Sequence, residues 1–392
     1  MIINSTNDGT SEVKMSEPGK PKTGHIIKVV GVGGAGGHVV SRLRAGREYR
    51  DFMRNLTTIS VNTDSQDLLT TPADIKVPIG EKITNGSGAG VDPTVGRQCA
   101  EESNKEIRQA IMDSDILFII AGMGGGTGTG AAPVVAKIAR DLGILTISVP
   151  IYPKSNESPE KLRIADKGIE ELRANSDGTI VVSNDCVKEK NISIREFYGR
   201  IDAHIYNIIM CIADIIIFPG ERNFDPADLG KVVRGSKNLH VGIGNASGEG
   251  AIFEAVQQAM YNRAVTSGVN GATKIIVNVK SRMEYLKVDE IDEMYKLLFK
   301  LLDPSCLMIN GHKSCTDYEE TAVEVEIVAS NYDEDSVMQT LGIRQLSSVK
   351  EAEDEPYVQT EPQQEVEEQK EQTEEKEVIK IPDFMKDIKI EW

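Results

Sequence analysis

Cysteine is scarce and scattered in this chain, basic charge is in deficit, and no apolar run is long enough to cross a membrane. The five cysteines, Cys99, Cys186, Cys211, Cys306 and Cys315, occur singly, with no CxxC pair and no metal-ligand spacing. That argues against a disulfide framework or a metal centre and for a reducing compartment. Lysine and arginine total 44 against 61 acidic side chains, a net charge of −17. This is the wrong sign for a protein that grips nucleic acid by neutralising phosphates. The first residues, MIINSTNDGTSEVKMSEPGKPKTG, lack the apolar core of a secretory signal, so no leader and a cytoplasmic location are expected. Residues 205–218 come nearest to a membrane span, but the run is short and carries Asn207 and Asp214; it reads as a buried helix, and no direct membrane insertion is expected. No lysine follows the glycines in the GxxxxGK[ST] manner, which excludes a P-loop NTPase.

What the chain has in quantity is glycine placed between strands and helices. The run from Gly122 to Gly130, GMGGGTGTG, follows the apolar DILFIIAG and leads into AAPVVAKIARDLG. Without β-carbons a backbone turns tightly enough to aim successive N–H groups at one anion, and a helix starting near Ala131 adds its positive end. Thr127 and Thr129 offer hydroxyl donors. A flexible linker is the competing explanation, but linkers are not clamped between a buried strand and an amphipathic helix. A second loop, GVGGAGGHVV, follows the first strand and fits GxGxxG through Gly31, Gly33 and Gly36, and a third, Gly86-Ser87-Gly88-Ala89-Gly90, precedes Pro93 and another helix. Three such turns predict a nucleotide with several phosphates, cradled mainly by backbone.

Apolar strands IIKVVGVG, LTTISVNTD, DILFIIAG, ILTISVP and GTIVVSND alternate with helical stretches at 36–46, 94–112, 131–142 and 159–173. That alternation predicts an α/β, Rossmann-like parallel sheet covered on both faces, over residues 26–192. A long central helix at 193–222 and a smaller αβ domain at 223–330 follow, in which AVEVEIVA alternates like a half-exposed strand. Residues 1–25 and 331–380 read as disordered; from Lys350 to Lys380 there are 12 acidic and 4 basic side chains, too little apolar surface to offset ordering entropy. After this tether the apolar Ile381, Pro382, Phe384 and Met385, with the single Trp at the end, form a docking peptide at 381–392, or else pack on the chain's own domain.

NFDPAD carries the remaining chemistry. Asp225 and Asp228, three apart with Asn223 beside them, can polarise a water or hold a cation, but the same pattern also makes a good turn and helix N-cap before Pro226. A nicotinamide enzyme is the alternative for the N-terminal half, with the first loop on a pyrophosphate and Asp64 on a ribose. It leaves GGGTGTG and NFDPAD unexplained.

Together IKVVGVGGAGG, SVNTD, GSGAGVDPTVGRQCAEES, AGMGGGTGTGAAPVVAKIAR, SND, NFDPADL and GNASGEGAIFEA resemble, in order and spacing, the tubulin/FtsZ superfamily of cell-division GTPases over about residues 26–330; IPDFMK resembles its terminal recognition peptide. The resemblance implies a filament-forming GTPase that takes GTP or GDP, with Mg²⁺ held mainly by the phosphates and no metal site of its own. Gly33, Gly34, Ala35, Gly36, Gly37 and His38, then Gly88, Ala89 and Gly90, then Gly124, Gly125, Gly126, Thr127, Gly128, Thr129 and Gly130, with Glu157, Lys161 and Asn184, would bind the nucleotide. Asp225 and Asp228, supported by Asn223 in the loop 223–229, would complete the site of the next subunit in a head-to-tail filament. Membrane anchors or division regulators would take the terminal peptide, and another member of the tubulin/FtsZ superfamily would be a co-polymer.

The chain departs from that family's pattern in four places. His38 stands where Asn is usual, and Ala203 falls where a carboxylate reads guanine, with Asp202 one residue earlier. Lys161 replaces Arg, keeping charge without the bidentate fork, and most of the acidic loop after AMYNRAVTSG is missing. A paralogue that co-assembles with slow or no turnover is therefore the second expectation.

Overall fold

The apolar runs form a parallel sheet in which the first strand lies at the centre, not at the edge. The computed structural model describes residues 25–45, 56–189, 191–217, 224, 226–261, 265, 268–282, 284–315 and 320–330; the tails and the docking peptide lie outside these. The elements of the first half are β1 (Ile27–Val32), α1 (Gly33–Ala45), β2 (Leu56–Asn62), α2 (Ser65–Thr70), β3 (Ile75–Pro78), α3 (Glu81–Thr84), α4 (Pro93–Glu102), α5 (Asn104–Ile111), β4 (Ile116–Gly122), α6 (Thr127–Asp141), β5 (Leu145–Tyr152), α7 (Pro159–Asn175), β6 (Gly178–Thr179) and β7 (Val182–Ser183). After the long α8 (Ile194–Ile217) come α9 (Pro226–Val233), β8 (Leu239–Ser247), α10 (Ala251–Met260), β9 (Lys274–Ser281), α11 (Val288–Phe299), β10 (Leu307–Ser314) and β11 (Ala322–Ser330).

The first sheet runs β3-β2-β1-β4-β5-β6, with β7 also on β5, and all its pairings are parallel. Ile, Val and Phe fill these strands on both faces, as a sheet covered twice requires. On one face Val29, Phe118 and Ile147 pack against Val39 and Leu43 of α1 and Ile205, Ile208 and Ile212 of α8. On the other Val30, Ile119 and Val61 meet Ile107, Val135 and Ile169 of α5, α6 and α7.

The second sheet runs β10-β9-β11-β8, antiparallel except for β10 on β9. Val323, Val325, Ile327 and Ala329 of β11 face α10 and α11. The other face meets α8 and α9: Val328 and Ile276 join the core around α8, and Ser330 Oγ donates to the Val232 carbonyl at 2.8 Å.

Three expectations need correction. β11 is not half-exposed, because its polar face is covered by α8; Glu326 is 1% exposed. The stretch 94–112 is two helices, broken at Ser103 (φ −93, ψ 27), whose hydroxyl accepts the Gly80 N–H at 3.1 Å. α6 begins at Thr127 rather than near Ala131, since the second half of the glycine run is already its first turn. Short α2 and edge strand β3, with Pro78 at its end, had no periodic signal to betray them.

Candidate functional site

Both principal glycine loops leave the sheet at its topological switch point. β1 and β4 are neighbours in register, Val32 beside Ala121, yet β1 feeds α1 on one face and β4 feeds α6 on the other. Two chains diverging from adjacent strand ends open a crevice at the carboxyl end of the sheet, where α/β proteins bind ligands. Loop one has almost no length: Val32 ends β1 and Gly33, at φ 71, already begins α1. Both helices therefore direct their N-terminal amides into this crevice.

The loops touch. A Cβ on Gly33 would lie 3.1 Å from the Gly128 nitrogen, one on Gly122 2.7 Å from Ala35 Cβ, and one on Gly126 2.9 Å from both Ala89 Cβ and the Asp92 nitrogen. The third loop is held there by Asp92, which caps α4 through the Thr94 N–H at 2.8 Å, and by the Gly88 N–H on the Thr63 carbonyl. Gly124 sits at φ 89, a backbone that side chains rarely adopt. Gly125 is its opposite: a Cβ there would meet nothing within 4 Å, so this edge of the loop faces open space.

Thr129 is buried, and its Oγ1 accepts the Gly124 N–H at 2.9 Å, so it braces the loop from within. Thr127 Oγ1 lies 2.7 Å from Thr63 Oγ1; Thr63 is a site residue the sequence reading missed, because nothing local pairs residues 64 apart. The Asp64 carboxylate caps α2, accepting from Gln66 and Asp67 at 2.9 and 3.0 Å. Asp67, also missed, accepts from Asn62 at 2.7 Å and stands 3.2 Å from the place of a Gly34 Cβ. A carboxylate beside a phosphate loop is an oxygen donor suited to a hard cation.

Glu157 and Lys161 form an ion pair at the start of α7, and the Lys161 stem passes beneath Gly124, 2.6 Å from where its Cβ would be. Asn184 opens the short turn after β7, and its Oδ1 is buried without a hydrogen-bond partner among the described residues. An orphaned acceptor is costly unless a ligand donor reaches it. The turn is tied to the neighbouring loop by the Ser155 N–H on Asp185 at 3.0 Å.

His38 is exposed on α1. With Arg42 it faces Asp202 of α8, whose carboxyl is pushed up by burial and drawn back by Arg42 and His38. Ala203 lines an open groove with Arg42, Glu196, Gly199 and Arg200, while Asp202 is the carboxylate that Arg42 and His38 face.

Asp228 stands apart from all of these. It lies in the first turn of α9, paired with Lys231 at 2.7 Å. Pro226, Ala227 and Gly230 of α9 share an open groove of about 720 Å³ with Ser114, Asp115 and Gly143, at the amino ends of β4 and β5. β4 has seven residues, so α9 and the glycine loops are separated by roughly 20 Å at about 3.3 Å per residue. Asn223, Asp225, Ile381, Pro382, Phe384 and Met385 lie outside the described residues.

Converging backbone amides, two helix N-termini at a switch point and an orphaned acceptor define a nucleotide-binding α/β protein with a second sheet domain. The chain is 34% identical over 313 residues to the cell division protein FtsZ of Aquifex aeolicus (strain VF5), spanning 79% of this chain and 83% of that protein. It belongs to the Tubulin/FtsZ family, whose GTPase-domain model matches residues 26–191. The empty FtsZ dimer of M. jannaschii has a TM-score of 0.69 at 34% identity, covering 79% of this chain and 89% of that one. CetZ2 from Haloferax volcanii, in a GTPγS-bound protofilament, has a TM-score of 0.69 at 21% identity over 80% and 97% of the two chains, a likeness of fold. No described helix is long and apolar enough to cross a membrane, and all five cysteines are free.

Proposed function

We propose that this chain is a GTP-dependent, filament-forming cell-division GTPase whose hydrolytic site is shared between two subunits. The observation that carries this reading is the placement of Asp228 at the opposite end of the sheet from the glycine loops. A carboxylate roughly 20 Å from the phosphates of its own chain reaches only those of a neighbour stacked head to tail. Such a contact is heterologous and does not close, so it propagates into a filament.

Within one subunit the amides of the loops beginning at Gly33 and Gly124, with the first-turn amides of α1 and α6, hold and orient the phosphates. Asn184 Oδ1 supplies an acceptor for a donor group on the ribose or base. This cradle would hold GTP, and Mg²⁺ would be held mainly by the phosphates, with Asp67 a candidate carboxylate for the ion; the ion would offset charge on the transferring phosphoryl group. Across the interface Asp228, with Asp225 and Asn223 of the same loop, orients and deprotonates the attacking water. Assembly thereby switches on hydrolysis, at a ring in the cytoplasm anchored through residues 381–392.

Replacing Asp228 by Ala is expected to lower phosphate release by 100-fold or more, with GTP affinity within about twofold. Unchanged turnover refutes the shared site. A co-assembling subunit with weak turnover is the second reading, favoured by the seam where Ala203 and Arg42 stand beside Asp202. Turnover by this protein alone at the rate of an ordinary family member counts against it.

A further inference from the structure

The second sheet carries a buried ionic cluster that the proposed chemistry does not use. Lys280 of β9, 6% exposed in its side chain, contacts Asp214 of α8, Glu324 of β11 at 2.7 Å and Glu326 of β11 at 2.5 Å. Asp214 also meets Lys313 of β10 at 3.1 Å, and Glu326 accepts from Asn278 of β9 at 2.8 Å. The three carboxylates lie within 4.8 Å of one another, but the Lys280 ammonium occupies their centre, so this is a clamp and not a cation site.

The clamp continues toward the acidic loop. Gly311 of β10 lies beside Asn278, and a Cβ on it would overlap the ring of Phe224. Phe224 is 7% exposed and joins the core around α8; it is the residue between Asn223 and Asp225, four before Asp228. From α8 the contacts thus run Asp214, Lys280, Glu326, Asn278, then the Gly311 seat and Phe224, which leads into α9. We propose that Lys280, Glu326 and Asn278 are positioning residues for Asp228: by fixing the seat of Phe224 against the second sheet they fix where α9 presents its carboxylate. This rests on the hydrolytic role proposed for Asp228.

Charge counting gives the clamp a pH dependence. Three carboxylates face two lysines, an excess of one negative charge in a nearly dry site, and burial is costly for it. Cys211 of α8, fully buried beside Glu326, is a thiol held well above its usual range by burial and by these carboxylates, so it adds no charge. Glu326, the most deeply buried of the three carboxylates, is where a proton would offset that excess. Burial, with a smaller push from Asp214, raises its carboxyl to about 8 against the pull of Lys280. Lys280 stays charged, because Asp214 and Glu324, joined by Glu326 whenever it is ionised, outweigh its own burial. Losing the Glu326 proton above neutrality puts an uncompensated charge under the Phe224 seat.

The test compares the full-length protein with Glu326→Gln, which keeps the shape of the acid and is neutral at every pH, and with Gly311→Ala, which invades the seat. Phosphate release at saturating GTP should fall at least threefold between pH 7 and pH 9 in the unmodified protein and stay level in Glu326→Gln. GTP affinity should move less than twofold in both. Gly311→Ala should lose at least tenfold in turnover, with affinity again within twofold. An alkaline fall of equal size in Glu326→Gln, or unchanged turnover in Gly311→Ala, overturns the proposal. Hydrogen exchange of the α9 amides, corrected for intrinsic base catalysis, reads the clamp without turnover: faster at pH 9 in the unmodified protein alone supports it, and equal rates in both contradict it. If the unmodified protein hydrolyses nothing, the shared-site reading fails while the exchange comparison still decides this one.

Discussion

Replacing Gly124 and Gly125 by alanine, one at a time, should separate the two jobs of the glycine run. At Gly124 the backbone is at φ 89 and a methyl would stand 2.6 Å from Lys161 Cγ and 2.9 Å from the Lys161 carbonyl oxygen. The left-handed conformation costs about 1–2 kcal/mol for a residue with a Cβ, and relieving the overlap adds about 1–3 kcal/mol. A loss of about 2–5 kcal/mol should lower Tm by roughly 3–8 °C in a chain of this size. At Gly125 a methyl meets nothing within 4 Å and φ is not positive, so stability should change by no more than about 0.5 kcal/mol. That methyl does enter the space from which a phosphate oxygen must approach the loop amides to about 2.9 Å. GTP affinity should therefore fall about tenfold or more, or about 1.4 kcal/mol. Calorimetric unfolding gives the first quantity and titration with GTP the second. Full-affinity binding by Gly125→Ala refutes the cradle, whatever happens to its Tm.

Three further outcomes follow from single contacts. With Asp202 rather than residue 203 carrying the carboxylate on the α1–α8 seam, GTP should be preferred over ATP only weakly. Ala203→Asp should raise that preference about tenfold, within the range that a hydrogen bond to a base edge provides, and equal Kd ratios before and after would reject it. Glu326 binds its proton more tightly folded than unfolded, its carboxyl rising from 4.5 to about 8. The stability it lends is complete below about pH 4.5 and lost by about pH 8. Unfolding scans of Glu326→Gln should therefore gain on the unmodified protein between pH 5 and 8 and run parallel above; parallel curves throughout would show Glu326 ionised in both states. Deleting residues 381–392 should spare sedimentation with GTP and abolish recruitment to an anchor protein, and loss of sedimentation would disprove the docking role.

The glycine loops were legible because their signal is local: a run of Ile and Val, then small residues, then a helix pattern. Where α6 begins was not. Thr and Gly are poor helix formers, yet residues 127–130 are helical because α6 packs tightly on α4, with Gly130 against the Pro93 carbonyl. Glu157, Lys161 and Asn184 were named through the family resemblance alone, while Thr63 and Asp67 escaped notice, since what marks them is contact with distant partners, Thr127 and the backbone at Gly34. The same limit explains β11. Alternation in AVEVEIVA says that two faces differ, and only the tertiary structure reveals that the acidic one meets a buried lysine.

The shared site is tested most directly by mixing two defective subunits, one carrying Asp228→Ala with an intact cradle, the other keeping Asp228 but carrying Gly125→Ala at a GTP concentration it does not bind. In a random one-to-one filament roughly a quarter of the head-to-tail contacts join an intact cradle to an intact Asp228. Phosphate release should then recover to about that fraction of the unmodified rate, although each subunit alone is inactive. A mixture as inactive as its components would contradict hydrolysis in trans.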